Sequence, residues 1–219
     1  MRTLIYTDSR GLNNLSPATE QSGFYPQRMK ENFGSEIHVC PHFRTTIIDF
    51  INFHKNRNEN YDFVFLHAGV VDFAPRRQSR CWAIYNERKS HFDNVFGELV
   101  IKEHLSSTFN YELKGEITTN MYSLSMANQY VLPYLKKIDN LLWINCSRII
   151  SNLNVDTFSI KIIKKYSDYF ASQLNTIDLS KWDDHQLRKC TIPDQIHLSR
   201  RGSNALYDLM VEEMEKKLK

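Results

Sequence analysis

Nothing in this chain approaches the length of a membrane span. Its longest apolar runs, such as Phe63–Leu66 and Tyr130–Leu132, fall far short of the roughly 20 residues a helix needs to cross a bilayer. It has no C-x-x-C pair, which excludes a zinc knuckle and a thioredoxin-type redox site, although cysteines stand at Cys40, Cys81, Cys146 and Cys190. No internal repeat, low-complexity tract or linker divides it, so the reading is a single domain over residues 1–219. Strong charge of one sign is missing too. The formal net charge is +3, without the concentrated basic balance of a dedicated nucleic-acid domain, and no nucleic-acid partner is expected. Met1-Arg2-Thr3-Leu4-Ile5-Tyr6 enters a strand-like segment at once, instead of building the charged and apolar regions of a secretory leader. A cytoplasmic location with reduced cysteines is therefore expected. Cys40 and Cys146 lie in apolar runs, where a buried thiol is the common state.

What is present is ordinary globular composition, with 42% hydrophobic and 24% charged residues. Thr3–Thr7 is a short β-prone run ended by the loop signal Asp8-Ser9-Arg10-Gly11. Ser16 and Pro17 suit the cap and first position of a helix reaching Phe33. Glu36–Cys40 reads as a second strand, stopped by Pro41. Thr45–His54 carries Ile47, Ile48, Phe50 and Ile51 at helical spacing. Asp62–His67 is apolar enough for a central parallel strand covered on both faces. Ser125–Lys137 reads as helix despite Pro133, and Asn140–Cys146 as a fourth strand. Asp156–Leu174 is amphipathic, with Ile160, Ile163, Tyr166 and Phe170 on one side. Thr176–Leu179 is a short fifth strand and Ser199–Leu218 a closing helix. Strands alternating with helices predict a parallel sheet with helices on both faces.

The stretch at about 73–125 interrupts this alternation after the third strand. It shows no clear strand and one helical segment over His91–Leu105, and is expected to fold over the sheet edge where the strands end. Its aromatics Tyr85, Phe92, Phe96 and Phe109 read as a small core ahead of a sugar-stacking surface. Arg76, Arg77, Arg80, Arg88 and Lys89 read as a solvated loop, or alternatively as a rim that attracts an anionic substrate.

Ligands of parallel α/β sheets bind outside the carboxyl ends of the strands. Three segments bring chemistry to that edge: Tyr6-Thr7-Asp8-Ser9-Arg10-Gly11, His67-Ala68-Gly69-Val70-Val71-Asp72, and Asp194-Gln195-Ile196-His197-Leu198. A serine hydroxyl is a poor nucleophile until an adjacent base takes its proton, and that base is commonly a histidine held in one tautomer by a carboxylate. An Asp-x-x-His turn supplies base and carboxylate from one loop. The other histidines, His38, His42, His54, His91, His104 and His185, lack metal-ligand spacing, so neither a metal nor a cofactor is expected.

These segments carry a resemblance. Thr7-Asp8-Ser9-Arg10 resembles the Gly-Asp-Ser-Leu block of the SGNH/GDSL hydrolase superfamily, and Asp194-Gln195-Ile196-His197-Leu198 resembles its Asp-x-x-His-Leu block, continued by Ser199-Arg200-Arg201-Gly202. Gly69-Val70-Val71-Asp72 stands where the family has Gly-x-Asn-Asp. The resemblance covers residue 3 to about 210. It implies a flavodoxin-like three-layer α/β/α sandwich with a parallel sheet of about five strands, and a catalytic set of Ser9, Asp194 and His197. The family's second block supplies a backbone N–H to the oxyanion from a glycine. Here the corresponding loop, Pro41 to Thr46, has none, which leaves the N–H of Phe43 or Arg44. Val71 replaces the third-block asparagine and has no donor, so Arg44, His67 and Arg76 become candidates to substitute. Gly69, Asp72 and Arg76 complete the expected oxyanion or substrate-binding set, with a helix cap or structural ion pair as the competing role for Asp72. The 67–76 stretch also resembles a variant block of SGNH-like proteins from bacterial surface-polysaccharide loci.

Three functions follow as expectations. The first is a serine-dependent ester hydrolase that acts through an acyl-enzyme on an acylated, and by preference O-acetylated, saccharide or polysaccharide. The second is an O-acyltransferase that passes the acyl group to a sugar hydroxyl, with acetyl-CoA as co-substrate. The third is a degenerate scaffold that binds a glycan or a protein.

Overall fold

Three apolar segments run through the centre of the molecule and are buried along their whole length: Thr3–Thr7, Phe63–His67 and Leu141–Ile144. The structure is a computed structural model and describes residues 1–12, 23–41, 46–57, 59–107, 112–113, 115–147, 149 and 157–218. With Glu36–Val39 and Thr176–Ile177 these segments form one parallel sheet. Its strands in chain order are β1 (Thr3–Thr7), β2 (Glu36–Val39), β3 (Phe63–His67), β4 (Leu141–Ile144) and β5 (Thr176–Ile177), and their spatial order is β2-β1-β3-β4-β5. This is the doubly wound, flavodoxin-like order. The register sets Ile5 beside Phe65 and Phe65 beside Leu142.

Successive side chains of a strand point to opposite faces, so the three central strands feed two cores. Leu4, Tyr6, Val64, Leu66, Leu141 and Trp143 belong to one, and Ile5, Phe63, Phe65, Leu142 and Ile144 to the other. The second core is closed by Tyr25 and Met29 of α1 (Tyr25–Phe33) together with the C-terminal helices. The first is closed by α2 (Thr46–Lys55), by the short α3 (Val70–Phe73), and by the segment that follows β3. Residues 13–22 lie outside the described residues, and with them the expected cap Ser16 and Pro17.

The insertion after β3 differs from the expectation in three ways. First, it contains three helices, α4 (Gln78–Glu87), α5 (Lys89–Phe96) and α6 (Glu98–Ser106). Gly97, at φ +83°, breaks the segment read as one helix, because glycine tolerates a positive φ at no steric cost. Second, it contains short antiparallel strands at Arg76–Arg77, Glu112–Leu113 and Glu116–Thr119, with the last in the middle. Strands of two to four residues are too short to show a period of two. The insertion also does not merely cover the strand ends. Ile84, Tyr85, Phe92, Phe96, Ile101 and Leu105 join the first core, and α5 lies on α2, where Asn52 Nδ2 donates to the His91 carbonyl at 3.1 Å. Tyr85, Phe92 and Phe96 are thus core, while Phe109 lies outside the described residues.

Helical residues 124–135 hold a π turn over Ala127–Val131 just before Pro133, which has no N–H to continue an α ladder. Among the described residues three further α-helices follow: α7 (Thr157–Ala171), α8 (Asp184–Cys190) and α9 (Arg200–Leu218). All four cysteines are buried and none is in a disulfide. Among the described residues no helix is long and apolar enough to cross a membrane.

The start of α9 is fixed by close backbone contact. Ser199 N–H donates to the Cys190 carbonyl at 2.9 Å, and a Cβ on Gly202 would stand 1.8 Å from that same oxygen. Gly202→Ala therefore forces α8 and α9 apart. It is expected to cost about 1–3 kcal/mol or more, seen as a lower denaturation midpoint in urea, since overpacking against backbone cannot be relieved by a rotamer change.

Candidate active site

The strand order reverses between β1 and β3, and the crevice outside their carboxyl ends is where a ligand enters such a sheet. β1 ends at Thr7. Asp8 N–H donates to the His67 carbonyl at 3.0 Å, and the chain then turns through a single 3₁₀ turn, Ser9–Gly11. Asp8 caps that turn by accepting from Arg10 N–H at 3.0 Å.

Arg10 curls back onto the same carboxylate. Its Nε donates to Oδ1 at 2.9 Å and its Nη2 to Oδ2 at 2.9 Å, and both side chains are buried. Burial pulls the Arg10 pKa down, but the adjacent Asp8 carboxylate outweighs it and holds the guanidinium charged. Nη1 continues to the Asn145 carbonyl at 3.4 Å and the Cys146 thiol at 3.8 Å, just beyond β4.

On the far side of the crevice, Thr191 and Leu198 form an antiparallel bridge that closes a tight loop. Gln195 takes φ +57° at its apex. Asp194 Oδ1 accepts from Ile196 N–H and from His197 N–H, each at 2.9 Å, and Oδ2 meets His197 Nδ1 at 2.5 Å. Burial raises the Asp194 pKa, but the ring and backbone donors of His197 and the Ile196 N–H overcome this and hold it below the usual carboxylate value. An ionised carboxylate only accepts, so Nδ1 carries the ring proton and Nε2 presents a lone pair. Ser9 Oγ lies 2.9 Å from that Nε2, across 188 residues of sequence. The arrangement can accept a proton from Ser9 and stabilise the imidazolium that results.

A second chain of bonds runs under β1. His67 Nδ1 meets Tyr25 Oη at 2.8 Å, Tyr25 donates to Thr7 Oγ1 at 2.9 Å, and Thr7 donates to the Asp8 carbonyl at 3.1 Å. Burial, followed by the charge of Arg10, drives the His67 pKa well below its usual value, so this ring stays neutral. Its Nε2 is buried without a hydrogen-bond partner.

The structure gives the remaining expected site residues other tasks. Gly69 N–H donates to Thr46 Oγ1 at 3.0 Å. Asp72 is 1% exposed, its Oδ2 accepts from Thr46 N–H at 2.9 Å and Thr46 Oγ1 at 2.7 Å, and its Oδ1 accepts from Ile47 N–H at 3.1 Å. It caps α2 from α3, a role that sequence offered as the alternative. Arg76 donates to the Ala74 carbonyl at 3.0 Å and to the Val71 carbonyl, bracing the end of α3. Val71 packs against the first core. Phe43 and Arg44 lie outside the described residues.

Two contributors escaped the sequence reading. Arg10 was read only as the last residue of a motif, although a charged residue two positions from a turn aspartate can fold back on it. Ser147 donates to the Gln195 carbonyl at 3.1 Å and so props the Asp194–His197 loop from the end of β4. Nothing local in the sequence announces that contact.

No family model matches the chain, and no curated protein matches it. Solved structures do. A lipase/acylhydrolase from Enterococcus faecalis is 14% identical, with 99% of this chain and 97% of that one covered at a TM-score of 0.58. An acetyl xylan esterase is 16% identical, covering 96% and 98% at a TM-score of 0.52. A GDSL-like lipase from Bacteroides thetaiotaomicron is 14% identical, covering 99% and 88% at a TM-score of 0.50. The three-layer α/β/α fold of the GDSL hydrolases is thus the fold of this chain.

Two outcomes test the supports of the site. Arg10→Met strands a buried carboxylate and is expected to cost about 3–5 kcal/mol in urea unfolding, with much of the loss recovered when Asp8→Asn is added. The second concerns Asp72. Burial raises its pKa to about 6, against the hydrogen bonds from Thr46 and Ile47. A raised folded pKa gives stability that is present below the unfolded value of 3.8 and lost as pH rises through about 6. Asp72→Asn removes this titration, so its unfolding free energy should fall less between about pH 4 and pH 6 than that of the wild type.

Proposed function

We propose that this chain, built on the GDSL-hydrolase fold, is a serine-dependent carboxyl-ester hydrolase acting on an acylated saccharide. The observation that carries the reading is the continuous chain from Ser9 Oγ to His197 Nε2 at 2.9 Å and from His197 Nδ1 to Asp194 at 2.5 Å, set at the topological switch point of the sheet. The saccharide is suggested by the acetyl xylan esterase among the structural neighbours, an enzyme of the same fold.

In this reading Ser9 Oγ attacks the acyl carbonyl as its proton passes to His197 Nε2. The tetrahedral adduct collapses as His197 returns that proton to the leaving sugar oxygen, which leaves the acyl group on Ser9. A water molecule, deprotonated by the same Nε2, then attacks the acyl-enzyme and frees the carboxylic acid and Ser9. Asp194 stabilises the imidazolium in both halves. Val71 offers no side-chain donor to the oxyanion, and one such donor is worth about 3–4 kcal/mol in serine enzymes, so the backbone of the nucleophile's turn has to carry more of that charge.

The test is covalent labelling with a fluorophosphonate, run beside hydrolysis of p-nitrophenyl acetate and a panel of acetylated sugars. Wild type should label and turn over. Ser9→Ala should lose both while keeping its melting temperature. Asp194→Asn should lower kcat by about 10³- to 10⁴-fold with little effect on stability, because a partly exposed carboxylate contributes little to folding but sets the working tautomer. Full activity in both variants would overturn the assignment.

A further inference from the structure

Three buried polar side chains lead into the Ser9 turn, and none of the catalytic steps above uses them: Thr7 at the end of β1, Tyr25 at the start of α1 and His67 at the end of β3. Thr7 stands where the motif that the segment resembles has glycine, so its hydroxyl has no counterpart there. The turn is shaped around that hydroxyl. Gly11 has no side chain, and a Cβ at its position would stand 2.4 Å from Thr7 Oγ1. The three groups form a chain with one direction. Tyr25 has a single hydroxyl proton, which goes to Thr7 Oγ1 at 2.9 Å, so the contact of Tyr25 Oη with His67 Nδ1 at 2.8 Å is made by a proton on the ring. His67 is neutral, and its other nitrogen, Nε2, is then an acceptor. That nitrogen is the buried atom without a partner, and an unpaired acceptor is tolerated better than an unpaired donor. Donation therefore runs from His67 to Tyr25, from Tyr25 to Thr7, and from Thr7 to the Asp8 carbonyl at 3.1 Å. Gly11 N–H donates to the same carbonyl at 3.1 Å.

We infer that Thr7, Tyr25 and His67 are positioning residues for the oxyanion: they fix and polarise the Asp8–Ser9 peptide, so that the Ser9 N–H donates more strongly to the charge developing on the substrate. The inference rests on the hydrolase reading and deepens it. A trans peptide is planar, with its C=O and N–H on opposite edges. Two donors on the Asp8 oxygen therefore set the direction of the Ser9 N–H. They also draw electron density toward that oxygen, which makes the N–H a better donor, and hydrogen bonds aligned in one direction strengthen one another. Val71 creates the need, because it offers the oxyanion no side-chain donor. A buried chain behind the peptide strengthens a donor that the turn retains, without adding a group that has to reach the substrate. No proton leaves this chain during the reaction. Its members act by keeping their orientation, which preorganises the site ahead of the charge.

The experiment compares kcat/KM for p-nitrophenyl acetate and p-nitrophenyl thionoacetate in wild type, Thr7→Val, Thr7→Ser and Tyr25→Phe. Sulfur accepts hydrogen bonds weakly, so the thiono ester draws little on the strength of an oxyanion donor. In Thr7→Val the oxygen ester should slow by about tenfold, less than the 10²- to 10³-fold that losing a whole oxyanion donor costs, while the thiono ester slows by less than about threefold. Thr7→Ser keeps the hydroxyl and should recover most of the oxygen-ester rate. Tyr25→Phe keeps the ring in the core and removes only the hydroxyl, so it tests the same chain where Thr7→Val fails to fold. Its oxygen-to-thiono ratio should fall by about threefold, because the Thr7 bond remains but is no longer reinforced. An unchanged ratio in Thr7→Val, or in Tyr25→Phe where Thr7→Val does not fold, overturns the proposal. So do equal losses on both esters, because a merely displaced Ser9 slows both alike. Fluorophosphonate labelling of the wild type separates this failure from that of the parent reading. Labelling at Ser9 together with an unchanged ratio rejects the positioning chain alone, and no labelling at Ser9 rejects the hydrolase as well.

Discussion

The buried Asp8–Arg10 pair holds the site together. An ion pair shielded from water has to recover the desolvation of both charges, and it does so only with good geometry and further hydrogen bonds. Here Asp8 accepts from the Arg10 backbone and from two guanidinium nitrogens, and the third nitrogen reaches across to the end of β4. Ser9 stands between the two charged residues. Any rotation of its turn would unpair a buried charge, so the position of Ser9 is set by the electrostatics beneath it.

From that pair a line of bonds crosses the carboxyl edge of the sheet. Cys40 N–H donates to the Thr7 carbonyl at 2.7 Å and Asp8 N–H to the His67 carbonyl at 3.0 Å, which joins β1 to the chain on both sides of it. Arg10 reaches Asn145, whose Nδ2 donates to Asp178 Oδ1 at 2.5 Å and whose Oδ1 accepts from Leu179 N–H at 2.7 Å. All five strand ends are thus joined. Against this rigid edge the Asp194–His197 pair needs little from afar. Asp194 and His197 are fixed to each other within one turn, and Ser147 links that turn to the sheet edge. A precise Ser9–His197 distance needs only these two blocks in register, which is how residues 188 positions apart meet at 2.9 Å.

The same distinction separates what was legible in the sequence from what was not. The central strands were visible because Phe63–His67 and Leu141–Ile144 are apolar on both faces, a local property. The Asp-x-x-His turn was visible because carboxylate and ring are close in sequence. The short strand at Glu112–Leu113 and its partner were not, since their pairing is decided across the chain. Asp72 carried two readings, and only the position of Thr46 and Ile47, brought there by the packing of α2, selected the cap. The aromatics of the insertion gave no sign of which core they would join. That depended on α5 settling on α2, where His91 Nδ1 meets Asp49 at 2.5 Å.

The ion pair also has a second neighbour in the Cys146 thiol, which lies 3.8 Å from Arg10 Nη1. A lone guanidinium in that place would be a buried charge without a counter-charge. Closed onto Asp8, it is neutralised at close range and its donors are engaged. The thiol adds an uncharged layer, because burial raises its pKa to about 11 and keeps it protonated. Arg10 thereby anchors the turn of Ser9 with a full charge while the neighbouring thiol stays uncharged. Leucine at this position, as in the motif that the segment resembles, would leave Asp8 without its guanidinium, and the tether to β4 would be lost with it.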